Sequence, residues 1–274
     1  MGSVSTCRQT IGERTMVRNW YKKNCHSKVL SPFVKLGKAL NRYYENFNYE
    51  YASNGEEHVL KVLSEFNPTV IFDVGAYQGT WADVALKNCP TAKVYSFEPV
   101  PWAFQKLSEV KHDRLKVFPF GLGNKMGSRR FVAYEGDASH LSGFYNYPHS
   151  VAESQIEISV RTGEDFVSEH SVCPDFVKID TEGSEFEVLL GFENQLKKGA
   201  IRLIQFEYGQ VNILSHYLLR DYYQYLESLD YVVGKVYPRY VDFSPYSFEL
   251  ENFIGSNFVA VTKKDDALFR ALRK

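Results

Sequence analysis

The chain has 274 residues, 44% of them hydrophobic and 24% charged, with a net charge of −1. That composition suits one α/β domain with an extension, and it excludes a collagenous, low-complexity or disulfide-dense protein. The charge is unevenly divided: residues 1–50 hold nine Lys/Arg against three Asp/Glu, and the remainder holds 23 against 30. So acidic a body argues against a nucleic-acid enzyme. The basic arm leaves contact with nucleic acid or anionic lipid open. Cys7, Cys25, Cys89 and Cys173 form no CxxC pair and lie in no histidine cluster, so they read as reduced thiols of a cytoplasmic protein. No apolar run approaches the ~18 residues of a membrane span.

In chain order, residues 1–30 predict a loose basic arm. Ser31-Pro32 predicts a helix start, with Ser as N-cap and Pro as the first helical residue. Apolar residues then recur at helical spacing from Phe33 to Phe47. Asn54-Gly55 breaks that helix, and a second one carries Val59, Leu60, Leu63 and Phe66 up to Asn67-Pro68. The expected division is an arm and helix over 1–53 and a domain over 54–274.

From there strands and helices alternate. Core strands are expected at 69–75, 92–99, 114–123, 174–180, 200–209, 231–237 and 257–263, with half-exposed strands at 128–135 and 155–161. Thr162 followed by Asp165 predicts a short capped helix. The fold class is α/β: a Rossmann-like, doubly wound, mostly parallel seven-stranded sheet with an N-terminal helical extension. The aromatic-rich stretches 136–155 and 237–256 are expected to be lid-like loops.

Ligands of such sheets bind beyond the carboxyl ends of the strands. "DVGAYQG", Asp73 to Gly79, lies at that end of the first core strand. Gly75 would let the backbone approach a ligand, and Gly79 permits the turn into a helix. The run is not GxGxxG, because position 77 is Tyr, and this disfavours a dinucleotide. Glu98 ends the second strand, where an ionised carboxylate can accept both hydroxyls of a ribose. Gly121 and Leu122 follow the third strand, where a flat adenine could lie. Together these pieces describe an S-adenosylmethionine site.

At this point the chain resembles a known family. "NGEEHVL" (54–60), "VIFDVGAYQGTW", "VYSFEPVPWAFQKL", "GLGNKMG", "VKIDTEGSEFEVLLGF" and "IQFEYG" match, in order, the landmarks of FkbM-type methyltransferases. The resemblance spans about residues 54–263 and implies a class I S-adenosylmethionine-dependent O-methyltransferase acting on hydroxyls of sugars, glycans or related natural products. It implies that Asp73, Gly75, Ala76, Gly79 and Glu98 hold the cofactor. Tyr77 departs from the Asn of the family's "DVGAN", so a polar side-chain contact there is not carried over.

Methyl transfer to an alcohol needs alignment and help in losing the hydroxyl proton. Lys178 and Asp180 share one strand face by period two, and Glu182 and Glu185 follow in "DTEGSE". Glu207 ends the fifth strand, so Asp180 and Glu207 are expected to flank the acceptor. Glu207 could be the base, a hydroxyl acceptor or a metal ligand. Two such carboxylates are the minimum for Mg²⁺, with no third ligand evident. His140, in "DASHLSGF", is a further candidate base. Glu185 is expected to cap or to lie on a helix surface. Trp102, Phe144, Tyr145, Tyr147, Tyr237, Tyr240 and Tyr246 are candidates for a sugar platform. The expected partner is a small-molecule or glycan acceptor; RNA 2′-O-methylation and a non-catalytic cofactor-fold binding protein are the alternatives.

Overall fold

The structure is a computed structural model that describes Trp20 and residues 22–134, 142–145 and 153–273. The chain divides into two compact units, Met1–Glu45 and Asn46–Lys274. In the first, the Ser-Pro step opens the helix Ser31–Tyr44, with Pro in its first turn; Leu30 rather than Ser31 takes the N-cap position. The helix stops short of the periodicity that runs to Phe47, because Asn46 adopts a left-handed φ of 61°.

In the second unit, eight strands form one sheet: β1 (Val70–Val74), β2 (Lys93–Phe97), β3 (Leu115–Phe118), β7 (Phe176–Ile179), β8 (Leu203–Tyr208), β9 (Tyr231–Tyr237), β10 (Tyr240–Asp242) and β11 (Ser256–Thr262). Their order is β10-β9-β11-β8-β7-β1-β2-β3. From β3 to β8 every pairing is parallel, while β11 lies antiparallel between β8 and β9. The seven expected core strands are therefore present, and the sheet gains an eighth. This is β10, a three-residue hairpin partner of β9 within the stretch expected to be a loop.

The expected strand 114–123 is two strands. Pro119 has no N–H to give a ladder, so β3 ends at Phe118. β4 (Gly121–Leu122) instead pairs with β6 (Glu153–Arg161), which pairs in turn with β5 (Gly127–Tyr134), in a separate three-stranded sheet. Thr162 accepts a hydrogen bond from the Asp165 N–H at 3.1 Å and caps the helix Gly163–His170, as its spacing predicts.

Alternation along the parallel strands feeds two cores. Phe72, Tyr95, Val177 and Ile204 point to one face, covered by the helices Gly163–His170, Glu185–Leu190 and Leu219–Ser228. Ile71, Val94, Phe176 and Leu203 point to the other, covered by Glu56–Ser64, Thr80–Asn88 and Asp266–Leu272. Sheets buried on both faces are expected to be apolar throughout. This one is not, and on its parallel strands the buried polar exceptions lie in a single row.

Candidate active site

Two residues beyond Val94, Ile71, Phe176 and Leu203 stand Ser96, Asp73, Lys178 and Gln205, all buried and on the same face by period two. The register sets them side by side: Asp73 opposite both Ser96 and Lys178, and Lys178 opposite Gln205. Burying such groups costs energy unless they are paired. Lys178 Nζ lies 3.6 Å from Asp73 Oδ1 and 3.1 Å from Asp180 Oδ2. It also lies 5.5 Å over the Trp81 ring. Gln205 Nε2 and Trp81 Nε1 donate to Glu56 Oε2 at 2.7 and 2.9 Å, and Asn54 Nδ2 and Asn257 Nδ2 donate to Oε1 at 2.7 and 3.1 Å. Burial works against the Lys178 charge, but Asp180 and Asp73 outweigh it and hold the ammonium above its usual range. Lys178 is thus a fixed cation and not a proton acceptor.

The next step along the same strands reaches the carboxyl edge and brings up Glu98, Gly75, Asp180 and Glu207. On the β1–β2 side, Gly75 and Ala76 donate their N–H groups to the Phe97 carbonyl at 3.0 and 3.1 Å. Glu98 Oε2 accepts from the Tyr77 N–H and Oε1 from the Val100 N–H, both at 2.8 Å. Burial pushes Glu98 up to about 7 against the pull of those two N–H groups. Tyr77 takes a left-handed φ of 49° and sets its ring edge-on to Trp102, 5.4 Å between centroids. Asp73 is buried against Lys178, Ala76 is buried, and Leu122 packs into the main core, so none of these three presents a side chain at the surface. Gly121 lies beside Pro99, and Gly79 turns into Thr80–Asn88 at φ +90°.

Gly75 has a tighter reason to be glycine than approach by a ligand. At φ +82° a Cβ would lie 1.8 Å from the Asp180 carbonyl oxygen. The two halves of the site touch through this backbone contact. Gly75→Ala is therefore expected to destabilise the fold by about 1–3 kcal/mol or more, read from urea unfolding; an unchanged midpoint would refute the contact.

On the β7–β8 side, the turn after β7 is held from within. The buried Glu185 Oε1 accepts from the Thr181 N–H (2.8 Å), the Thr181 hydroxyl (3.1 Å) and the Gly183 N–H (3.1 Å). Glu185 thereby caps the loop and lies inside it, and burial raises it to about 6. Glu182 has φ 52° and Gly183 φ +101°. Residues 142–145 of the first long loop rest here: Gly143 exchanges two hydrogen bonds with Val132 (2.8 and 3.0 Å), and the Tyr145 ring packs against Gly183. Asp180, Glu182 and Glu207 are half-buried, with carboxylate oxygens all within 4.8 Å of one another. Burial raises Glu207 well above the carboxylate range, and the charges of Asp180, Glu182 and Glu185 raise it further.

The sequence reading placed Asp180, Lys178 and Glu207 on neighbouring strand ends, where they meet. His140 and Tyr147 lie outside the described residues. Tyr237 and Tyr240 stack on each other in the outermost hairpin, and Tyr246 donates to Glu251 at 2.9 Å. Other neighbours of the site carry no role in the sequence pattern. Glu182 is the third carboxylate. Gly255 lies close to both the Tyr49 hydroxyl and Glu207 Oε1. Burial raises Tyr51 to about 12, in the field of Lys178 and Asp180. Glu56, Gln205 and Asn257 anchor the row beneath. The signal for Tyr49 and Tyr51 is "NFNYEY", which the helical spacing up to Phe47 and the break at Asn54-Gly55 assign to the first helix.

The chain is 32% identical over 164 residues to the hexuronic acid methyltransferase AglP of Haloferax volcanii, a match covering 57% of this chain and 64% of that protein. It thus spans just under two thirds of that relative. It is 27% identical over 225 residues to the 2-O-methyltransferase NoeI of Sinorhizobium fredii, covering 76% and 91% of the two chains. Among solved structures, the FkbM methyltransferase of Methylobacillus flagellatus KT superposes with a TM-score of 0.46 at 17% identity, over 71% of this chain and 44% of that one. Residues 73–233, more than half the chain, match the model of the methyltransferase FkbM domain, and the chain belongs to that family.

Proposed function

We propose that this chain transfers a methyl group from S-adenosylmethionine to a hydroxyl of a sugar or glycan, with 54–274 as the catalytic domain. The observation that carries the reading is the pair of carboxylates Asp180 and Glu207, with oxygens within 4.8 Å of each other, at the ends of adjacent strands beside the Gly75 turn and Glu98. An acceptor already ionised, such as a carboxylate, needs no base and would be repelled by Asp180, Glu182 and Glu207. A neutral hydroxyl needs a base and is attracted as a hydrogen-bond donor. The name of AglP, a hexuronic acid methyltransferase, supports a sugar as its bearer, and that of NoeI, a 2-O-methyltransferase, supports transfer to oxygen. The same acidic cluster disfavours RNA, whose phosphates would meet it. A merely binding protein would have no use for charges buried at such cost.

The residues on the β1–β2 side fit the donor. Glu98 keeps lone pairs for two ribose hydroxyls beyond the two it gives to N–H groups. The acidic edge suits a sulfonium cation. When bound, the donor supplies the methyl group and a thioether leaving group. The chain's own work is to hold the acceptor hydroxyl against Asp180 and Glu207, take its proton on Glu207, and keep Asp180 in place through Lys178. A thermal-shift titration tests donor binding: S-adenosylmethionine at a hundredfold excess over Kd should stabilise the protein by about 2.7 kcal/mol. Binding should tighten as pH rises through about 7, where Glu98 ionises, and Glu98→Ala should abolish the shift. No shift at any pH would sink the donor assignment.

A second reading rests on Glu182. Three carboxylates within 4.8 Å also suit a hard divalent cation such as Mg²⁺. Dialysis against a chelator separates the two. Unchanged turnover supports Glu207 as a base that needs no metal, and a loss restored by Mg²⁺ assigns the cluster to metal.

A further inference from the structure

We infer that the helix Ser31–Tyr44 is a docking element for an anionic lipid surface, lying in the plane of the headgroups. At 100° per residue, Phe33, Leu36, Leu40, Tyr43 and Tyr44 fall within about 100° of arc, and Lys35, Lys38 and Arg42 fall within about 60° on the opposite side. No residue of the helix is buried, and Phe33 is 70% and Tyr43 83% exposed. Monomeric proteins rarely leave so continuous an apolar stripe open without a partner.

Charge decides which partner. From Arg14 to Tyr44 the sequence holds eight Lys/Arg and no Asp or Glu. A helix that pairs with another helix usually carries both signs beside its seam. One that lies in a lipid interface carries a purely basic polar face and aromatic or leucine side chains opposite, as here. Nucleic acid would answer the charge but leave the apolar stripe unused. At 14 residues the helix is about 21 Å long, too short to span a bilayer and suited to lying on one. The rest of the chain is acidic, with 30 Asp/Glu to 23 Lys/Arg after residue 50. An anionic leaflet would repel that part and attract this segment alone.

The test is flotation of the full chain with vesicles of phosphatidylcholine containing phosphatidylglycerol, against vesicles of phosphatidylcholine alone. The chain should float with the anionic vesicles and lose that association as salt shortens the Debye length from about 10 to 3 Å. Lys35→Gln with Lys38→Gln should weaken partition about 25-fold. Leu40→Asp should weaken it at least about tenfold and leave the thermal transition unchanged. Three results would overturn the inference: no flotation with either vesicle, flotation indifferent to both variants, or binding to an oligonucleotide that Leu40→Asp leaves intact while flotation fails.

Discussion

Glu207→Gln is expected to lower kcat by about 10²- to 10⁴-fold and leave S-adenosylmethionine binding unchanged. The substitution keeps the shape of the side chain and removes its ability to take a proton. Glu207 is held above the carboxylate range by burial and by Asp180, Glu182 and Glu185. Its ionised, proton-accepting form therefore grows as pH rises, and kcat/KM should climb with pH through a midpoint well above 4.5. Asp180→Asn removes one of the charges that raise Glu207, so the rise should move to lower pH in that variant. Full activity in both variants, or an unshifted profile in Asp180→Asn, would dismiss the pair as the base. Stability follows the opposite sign: a carboxylate raised on folding favours the native state in acid, and that advantage fades as pH rises.

Lys178→Met is expected to be the most damaging single substitution to the fold, costing about 3–5 kcal/mol. Lys178 is the cation between two carboxylates, 3.6 Å from Asp73 and 3.1 Å from Asp180. Asp73 is completely buried, and burial already raises its pKa against the opposing pull of Lys178. Without the ammonium it rises further. A group raised in this way costs nothing below its unfolded value of about 4 and costs progressively more above it. The deficit of Lys178→Met should therefore be smallest in acid and largest above neutral pH. Adding Asp73→Asn should recover part of the loss, since the orphaned charge is then gone. A deficit independent of pH, or no recovery in the double variant, would show that Lys178 acts by packing alone.

The order of strands and helices was legible because parallel core strands are short apolar runs set off by Gly and Pro. Asp180 and Glu207 could be paired from sequence, since both end core strands that a doubly wound fold makes neighbours. Other features depended on distance in three dimensions. Gly75 reads as a ligand turn, yet its φ of +82° is demanded by the Asp180 carbonyl, more than a hundred positions away in the chain. Asp73 reads as a cofactor contact because the acid ends a strand; only the register with Lys178 reveals that it faces a buried ammonium. Glu56 gave no sign of its role, because three of its four donors, Trp81, Gln205 and Asn257, come from separate elements. The extra strand β10 was hidden by its length of three residues. Tyr49 and Tyr51 were hidden by lying ahead of the first recognisable strand.

The most direct measurement follows the labelled methyl of S-adenosylmethionine into neutral and uronic oligosaccharides and tests the product with mild alkali. The account expects an alkali-stable methyl ether on a sugar hydroxyl, formed by the wild-type protein and lost in Glu207→Gln. Label released as an alkali-labile ester, or appearing on RNA instead, would contradict it.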